Sequence, residues 1–278
     1  SRGCQSSMDY VMTIGVGETE IIDSLRVIWP NDKTQKITTV KTDTILTLKL
    51  SEASEIQKPS QAHTTNTLLS EITIKDLIKH QENNYSDFDF EGLISKMLSQ
   101  EGPALAVGDI DKDGNEDFYI GGGKGQPGVL YMNYGNGIIK QSIQKAFTND
   151  AYLEDTTAAF FDANNDGNLD LIVGTGGNER GNSHLYTTRL YFSDGNGKFE
   201  LSQQTIPSTR TNIAVVAPYD FDNDGDIDVF VGSRSVVGTY GINPAHLFLQ
   251  NDGHGVFENV TDKVAYDLKN AGMITNAK

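Results

Sequence analysis

Short apolar runs, each bounded by glycine, asparagine or aspartate, recur through the second half of the chain. "ALAVG", "TAAFF" and "AVVAPY" are each followed by a polar loop and then by "FYIGGG", "LIVGTGG" and "VFVGSR". Further on come "VLYMNYGNG", "RLYFSDGNGKF" and "HLFLQNDGHGVF", each with an aromatic run broken by a glycine turn. Runs of this length and β-branched content predict strands, and the glycines predict hairpins. The repeated unit is strand, acidic loop, strand, connection, strand, glycine hairpin, strand. Several strands per unit at periods of about 40–60 residues indicate propeller blades.

The first part of the chain has a different pattern. Leu25, Val27 and Trp29 alternate with Arg26 and Ile28, as in a half-buried strand, and "WPNDK" reads as a turn with Pro30 at its start. "TILTLKL", 44–50, alternates again, so residues 8–50 predict a small β-meander in which Trp29 is a core residue. Residues 51–66 are polar and are expected to form a linker. Residues 67–102 carry Leu, Ile and Met at mixed helical spacing and are expected to form a helical and loop connection, followed by propeller repeats over 103–278. Within that connection, His80, Glu82, Asp87 and Asp89 form a possible metal cluster. The competing expectation is a capped loop that packs Tyr85, Phe88 and Phe90 on the propeller.

The expected fold class is therefore all-β: a partial propeller of four-stranded antiparallel blades with a small N-terminal meander. Composition fits this, with 37% hydrophobic residues and 28 glycines in 278 residues. A formal charge of −16 makes nucleic acid a poor partner and cations a good one. The single cysteine, Cys4, permits no disulfide within the chain. No apolar run is long enough to insert into a membrane as a helix. Three blades are too few to close a ring, and the opening residues read like the middle of a domain. A longer parent chain is therefore expected.

The three polar loops carry the chemistry. "DIDKDGNED" (109–117), "DANNDGNLD" (162–170) and "DFDNDGDID" (220–228) all fit D-x-[DN]-x-D-G-[ND]-x-D. Carboxylates packed so densely repel, and a hard divalent cation offsets that repulsion. The candidate ligands are Asp109, Asp111, Asp113, Asn115 and Asp117 in loop 1; Asp162, Asn164, Asp166, Asn168 and Asp170 in loop 2; and Asp220, Asp222, Asp224, Asp226 and Asp228 in loop 3. The first, third, fifth and ninth residues offer side chains and the seventh a backbone carbonyl. Gly114, Gly167 and Gly225 at the sixth place allow the sharp turn. The twelfth place is Ile120, Val173 or Val231 rather than the glutamate of a helical EF-hand, so these are calcium loops between strands. Five or more protein oxygens in a flexible loop suit Ca²⁺ better than Mg²⁺. Three calcium ions are expected, held least tightly by loop 2, where Asn164 is neutral.

These repeats, over about residues 103–265, resemble the FG-GAP/VCBS family, whose blades build integrin α-subunit propellers and many bacterial surface proteins. The resemblance implies that each acidic loop links the first two strands of a blade and binds Ca²⁺. Residues 6–37, "SSMDYVMTIGVGETEIIDSLRVIWPNDKTQKI", resemble the C-terminal part of an ASPIC/UnbV domain, a family that usually accompanies FG-GAP repeats in large exported proteins.

In an up-and-down blade the connections between second and third strands lie opposite the acidic loops. They span 121–128, 174–188 and 232–246 and carry Arg180, His184, Arg234, Tyr240 and His246, a set suited to an acidic sugar or carboxylate peptide. Two functions follow. One is a non-catalytic calcium-binding module of an exported bacterial protein, at the cell surface, outside the cell or in the periplasm, that binds a glycan or protein ligand or serves as scaffold. The alternative is a polysaccharide lyase or esterase built on a propeller. The chain has no nucleophile elbow, H-E-x-x-H or P-loop, which favours the module.

Overall fold

The computed structural model describes residues 11–56, 74, 77–179 and 185–277. The chain divides into two compact units, Ser1–Ile72 and Thr73–Lys278.

In the first unit, β1 (Ile21–Ile28) pairs antiparallel with β2 (Lys33–Lys41), Ile28 opposite Thr34. The hairpin between them is the expected Trp29–Lys33 turn: Asp32 N–H donates to the Trp29 carbonyl, and Trp29 N–H to the Lys33 carbonyl. Leu25, Val27 and Trp29 are half-buried while Arg26 and Ile28 are exposed, which is the alternation read from the sequence. The third strand is a correction. It is not 44–50 but β3, Glu55–Ile56, two residues inside the expected linker, paired with Thr34 and Lys33 of β2. An alternating pattern becomes a strand only where a partner's backbone groups are free. β3 meets β2 only at Lys33 and Thr34, and 44–50 finds no strand partner among the described residues, so Ile45 and Leu46 are left exposed.

The second unit holds three four-stranded antiparallel sheets, each a simple meander. Blade 1 is β4 (Leu105–Gly108), β5 (Asp117–Ile120), β6 (Val129–Asn133) and β7 (Ile139–Ser142). A short helix, α1 (Lys145–Asn149), leads to blade 2: β8 (Asp155–Phe161), β9 (Asp170–Thr175), β10 (Thr188–Ser193) and β11 (Phe199–Leu201). Blade 3 is β12 (Asn212–Tyr219), β13 (Asp228–Ser235), β14 (Leu247–Asn251) and β15 (Phe257–Asn259), followed by α2 (Thr261–Val264). The first strands neighbour one another, β4 beside β8 and β8 beside β12.

Two apolar cores glue the blades face to face. Tyr119, Leu130 and Met132 of blade 1 pack with Phe147 against Leu171, Val173 and Tyr191 of blade 2. Ile172 and Leu190, on the other face of blade 2, pack against Ile213, Val216, Val229, Val231 and Leu249. Blade 2 is thus covered on both sides, and β9 is buried along its whole length. That explains why "LIVGT" reads as a continuous apolar run rather than an alternating one. A buried ion pair, Arg189 with Asp155, sits at the blade 1–2 seam, where Tyr119 Oη also donates to Asp155 (2.7 Å).

The connection before blade 1 departs from its helical reading. Over 77–102 the described backbone forms one 3₁₀ turn, Asp87–Asp89, and otherwise coil. The cause is local. The buried Asp87 carboxylate accepts the backbone N–H groups of Leu98 and Ser99 (2.9 Å to Ser99), which diverts them from a helix ladder. The expected packing of Phe88 and Phe90 also fails: both are exposed. The possible metal cluster does not assemble there either. His80 pairs with Glu82 (2.8 Å) while Asp87 is spent on backbone. Most of the first helical stretch, 67–76, lies outside the described residues.

Candidate metal centres

Each acidic loop joins the first two strands of its blade: 109–116 between β4 and β5, 162–169 between β8 and β9, and 220–227 between β12 and β13. All three fold by one scheme around their first aspartate. One oxygen of Asp109, Asp162 or Asp220 accepts the N–H of the sixth-place glycine, at 3.0, 2.8 and 3.1 Å. Their other oxygen accepts from Asp113, Asp166 or Asn223 N–H. The third residue accepts from the fifth N–H, and the fifth from the seventh, in every loop. The glycines sit at φ of 89°, 85° and 98°, where a side chain would be strained. The fourth residues, Lys112, Asn165 and Asn223, are left-handed as well. Asparagine tolerates that conformation; Lys112 bears its cost.

The ninth aspartates have a second task. Asp117, Asp170 and Asp228 are fully buried. One oxygen accepts a loop N–H (Ile110, Ala163, Phe221) and the other an N–H of the third strand's end (Asn133, Ser193, Asn251), all between 2.7 and 3.2 Å. Each therefore pins its loop to the sheet. Burial pushes all three carboxyls up from the ordinary range, Asp170 to about 6; neighbouring loop carboxylates push the same way and the two N–H donors pull back. A cation at the loop would favour the ionised form.

Carboxylate oxygens converge within 4.8 Å in two loops: those of Asp109, Asp111 and Asp117 in loop 1, and those of Asp220, Asp222 and Asp224 in loop 3. Both donor sets are all-oxygen and fit a hard divalent cation. Loop 2 has no such trio among the described residues. There the neutral Asn164 amide donates to Asp166 (3.2 Å) where a third-place aspartate would add charge.

The fourth-place residues were not singled out by sequence. Lys112 of loop 1 donates to Asn168 at the seventh place of loop 2 (3.0 Å), and Asn165 of loop 2 donates to Asp226 at the seventh place of loop 3 (2.6 Å). Each loop thus holds the next, and only the positional equivalence of 112, 165 and 223 hinted at it.

The FG-GAP-like repeat profile matches twice, over residues 109–173 and 174–231, and the ASPIC and UnbV profile matches residues 1–55. The chain carries FG-GAP repeats and an ASPIC/UnbV part. The first FG-GAP match opens on loop 1 and ends within β9, one loop and one strand into blade 2. Mouse (Mus musculus) cartilage acidic protein 1 is 30% identical over 146 residues, which is 52% of this chain. The chain spans 21% of that relative's length. Among the described residues no helix is long and apolar enough to cross a membrane.

On the opposite face of the FG-GAP blades the expected ligand set divides. Arg180 and His184 lie outside the described residues. His246 is interior rather than displayed: it is 1% exposed, its Nδ1 accepts Ser233 N–H (3.1 Å) and its Nε2 meets the Gly272 carbonyl (2.9 Å). Burial holds its pKa below the ordinary value, so its role is to tie the tail to β13. Tyr240 is partly exposed, with its backbone N–H on Glu91. Arg234 pairs with Glu101, which also takes Lys96 at 2.6 Å.

Proposed function

We propose that this chain is a calcium-stiffened FG-GAP module of an exported bacterial protein, with one Ca²⁺ in each acidic loop and a non-catalytic role in binding a glycan or protein ligand or in scaffolding. The observation that carries the reading is the threefold loop geometry: in all three copies the first aspartate accepts the sixth-place glycine N–H, and in two of them carboxylates gather. Such crowding is costly without a cation and favourable with one. Modules of this chemistry bind calcium with Kd of about 10⁻⁴–10⁻³ M, which suits the outside of a cell, where calcium is plentiful. A relative named for cartilage and acidity supports export and matches the charge of −16. The bacterial source rests on the sequence resemblance alone.

The test has two parts. Metal analysis after dialysis against millimolar calcium should return bound calcium at the loops; a calcium-free protein overturns the metal half. A panel of acidic and neutral glycans, scored for both retention and cleavage, addresses the second half. Retention without cleavage supports the module, and turnover favours the lyase or esterase alternative.

A further inference from the structure

The face away from the acidic loops holds a cavity of about 370 Å³ where the blades' first strands come together. Its floor is made by Pro103 just before β4, Thr156 at the start of β8 and Ala214 near the start of β12. Small side chains there leave the space open. Thr156 Oγ donates to the Ile213 carbonyl (2.6 Å), so its hydroxyl proton is spent on structure. The charged groups lining the cavity are Lys96, Arg234 and Glu101.

That trio is unbalanced. Glu101 is the shared partner of both cations, Lys96 at 2.6 Å and Arg234 through its NH1. One positive charge is left over, in a protein of net charge −16. The Arg234 Nε–H is buried and has no hydrogen-bond partner. A guanidinium offers its donors as a planar fork that matches a carboxylate. The nearest alternative reading, a closed structural ion pair, does not account for the open volume or for a second cation on one carboxylate. Ligand pockets span about 300–1,000 Å³, so the space suits a single sugar or amino-acid residue rather than an ion alone.

We propose that this axial cavity binds a carboxylate-bearing residue, supplied by an acidic glycan or an acidic peptide, with Arg234 and Lys96 as its cationic contacts. The inference rests on the reading of the chain as a binding module and not on calcium. The probes are tetragalacturonate and N-acetyl-tetraglutamate, with maltotetraose as the neutral control, each titrated into the calcium-loaded chain and into the chelated chain. At least one acidic probe is expected to bind, weakening as salt rises, while maltotetraose does not. The tighter of the two acidic probes identifies the source. Lys96→Glu changes an exposed side chain and spares the fold, and it should weaken binding about tenfold; Arg234→Gln should weaken it at least as much. If Arg234→Gln fails to fold, Lys96→Glu decides alone. Absence of binding by both acidic probes overturns the inference. Binding that is untouched by Lys96→Glu overturns it too, while leaving the module reading intact with its ligand elsewhere. Loss of calcium uptake with acidic binding retained would remove only the calcium reading.

Discussion

The two ends of the three blades follow opposite rules. At one end the same nine-residue loop is built three times, with the same glycine and nearly the same hydrogen bonds, loop 3 differing only in giving its first aspartate the Asn223 N–H in place of a fifth-place one. At the other end the connections differ in length and residue. Carboxylates behave differently too. Asp117, Asp170 and Asp228 each accept two backbone N–H bonds. Glu154, just before β8, is buried, and only the Glu101 backbone N–H and the Lys124 charge favour its ionised form. Burial first, then the negative charges of Glu179 and Glu82, push it up to about 9. Repetition marks the end that does the same job in every blade, and divergence marks the end free to acquire a particular ligand.

The largest way to break this contrast is to remove the cations. With calcium at ten times its Kd, each loop contributes about 1.4 kcal/mol and three contribute about 4 kcal/mol. Chelation should lower the melting temperature by about 10 °C in scanning calorimetry. An unchanged melting point would mean that the repeated end needs no ion.

Next in size is Asp170→Ala. It orphans the N–H groups of Ala163 and Ser193 and should cost about 3 kcal/mol even without calcium. Asp166→Ala, which removes an exposed carboxylate with loop-internal hydrogen bonds, should cost much more stability with calcium present than without it. Urea unfolding in calcium and in chelator reads both, and equal behaviour of the two variants would remove the distinction between pin and ligand.

At the other end, Glu154 keeps its proton in the native state at pH 7 and loses it on unfolding. Its contribution is therefore fully present below its ordinary value of 4.5 and is lost as pH rises through about 9. Glu154→Gln should flatten that decline, stabilising the chain by on the order of 2 kcal/mol more at pH 8 than at pH 5. Parallel pH profiles for wild type and variant would show that Glu154 is not the group responsible.

The smallest effect sharpens the contrast among the loops themselves. Asn164→Asp gives loop 2 the carboxylate that loops 1 and 3 have at that place and should tighten its calcium affinity about tenfold. A weaker site in the variant would mean that crowding with Asp162 and Asp166 outweighs charge.

Much of this was legible in the sequence because repetition carries it. The strands, the acidic loops and the glycine turns all appear three times in register, so each copy supports the others. The Trp29–Lys33 turn was legible for a similar reason: proline and alternation agree. What failed was isolated. The run 44–50 alternates like a strand, but alternation alone supplies no partner, and the strand found beside β2 is Glu55–Ile56 instead. The run 89–100 has helical spacing, yet one buried carboxylate, Asp87, takes the N–H groups of Leu98 and Ser99. His246 looked like a ligand because histidines often are; only burial shows that both ring nitrogens are engaged. The cavity of Lys96, Glu101 and Arg234 joins residues far apart in sequence, and nothing in their spacing announces it.

The central claim is that three acidic loops hold three calcium ions. Equilibrium dialysis of chelator-stripped protein against millimolar calcium tests it most directly, run beside Asp109→Ala, Asp162→Ala and Asp220→Ala. The account predicts three ions per chain, one fewer in each variant, with loop 2 the first to empty as calcium is lowered. Uptake near zero, or a stoichiometry that none of the three substitutions changes, would contradict it.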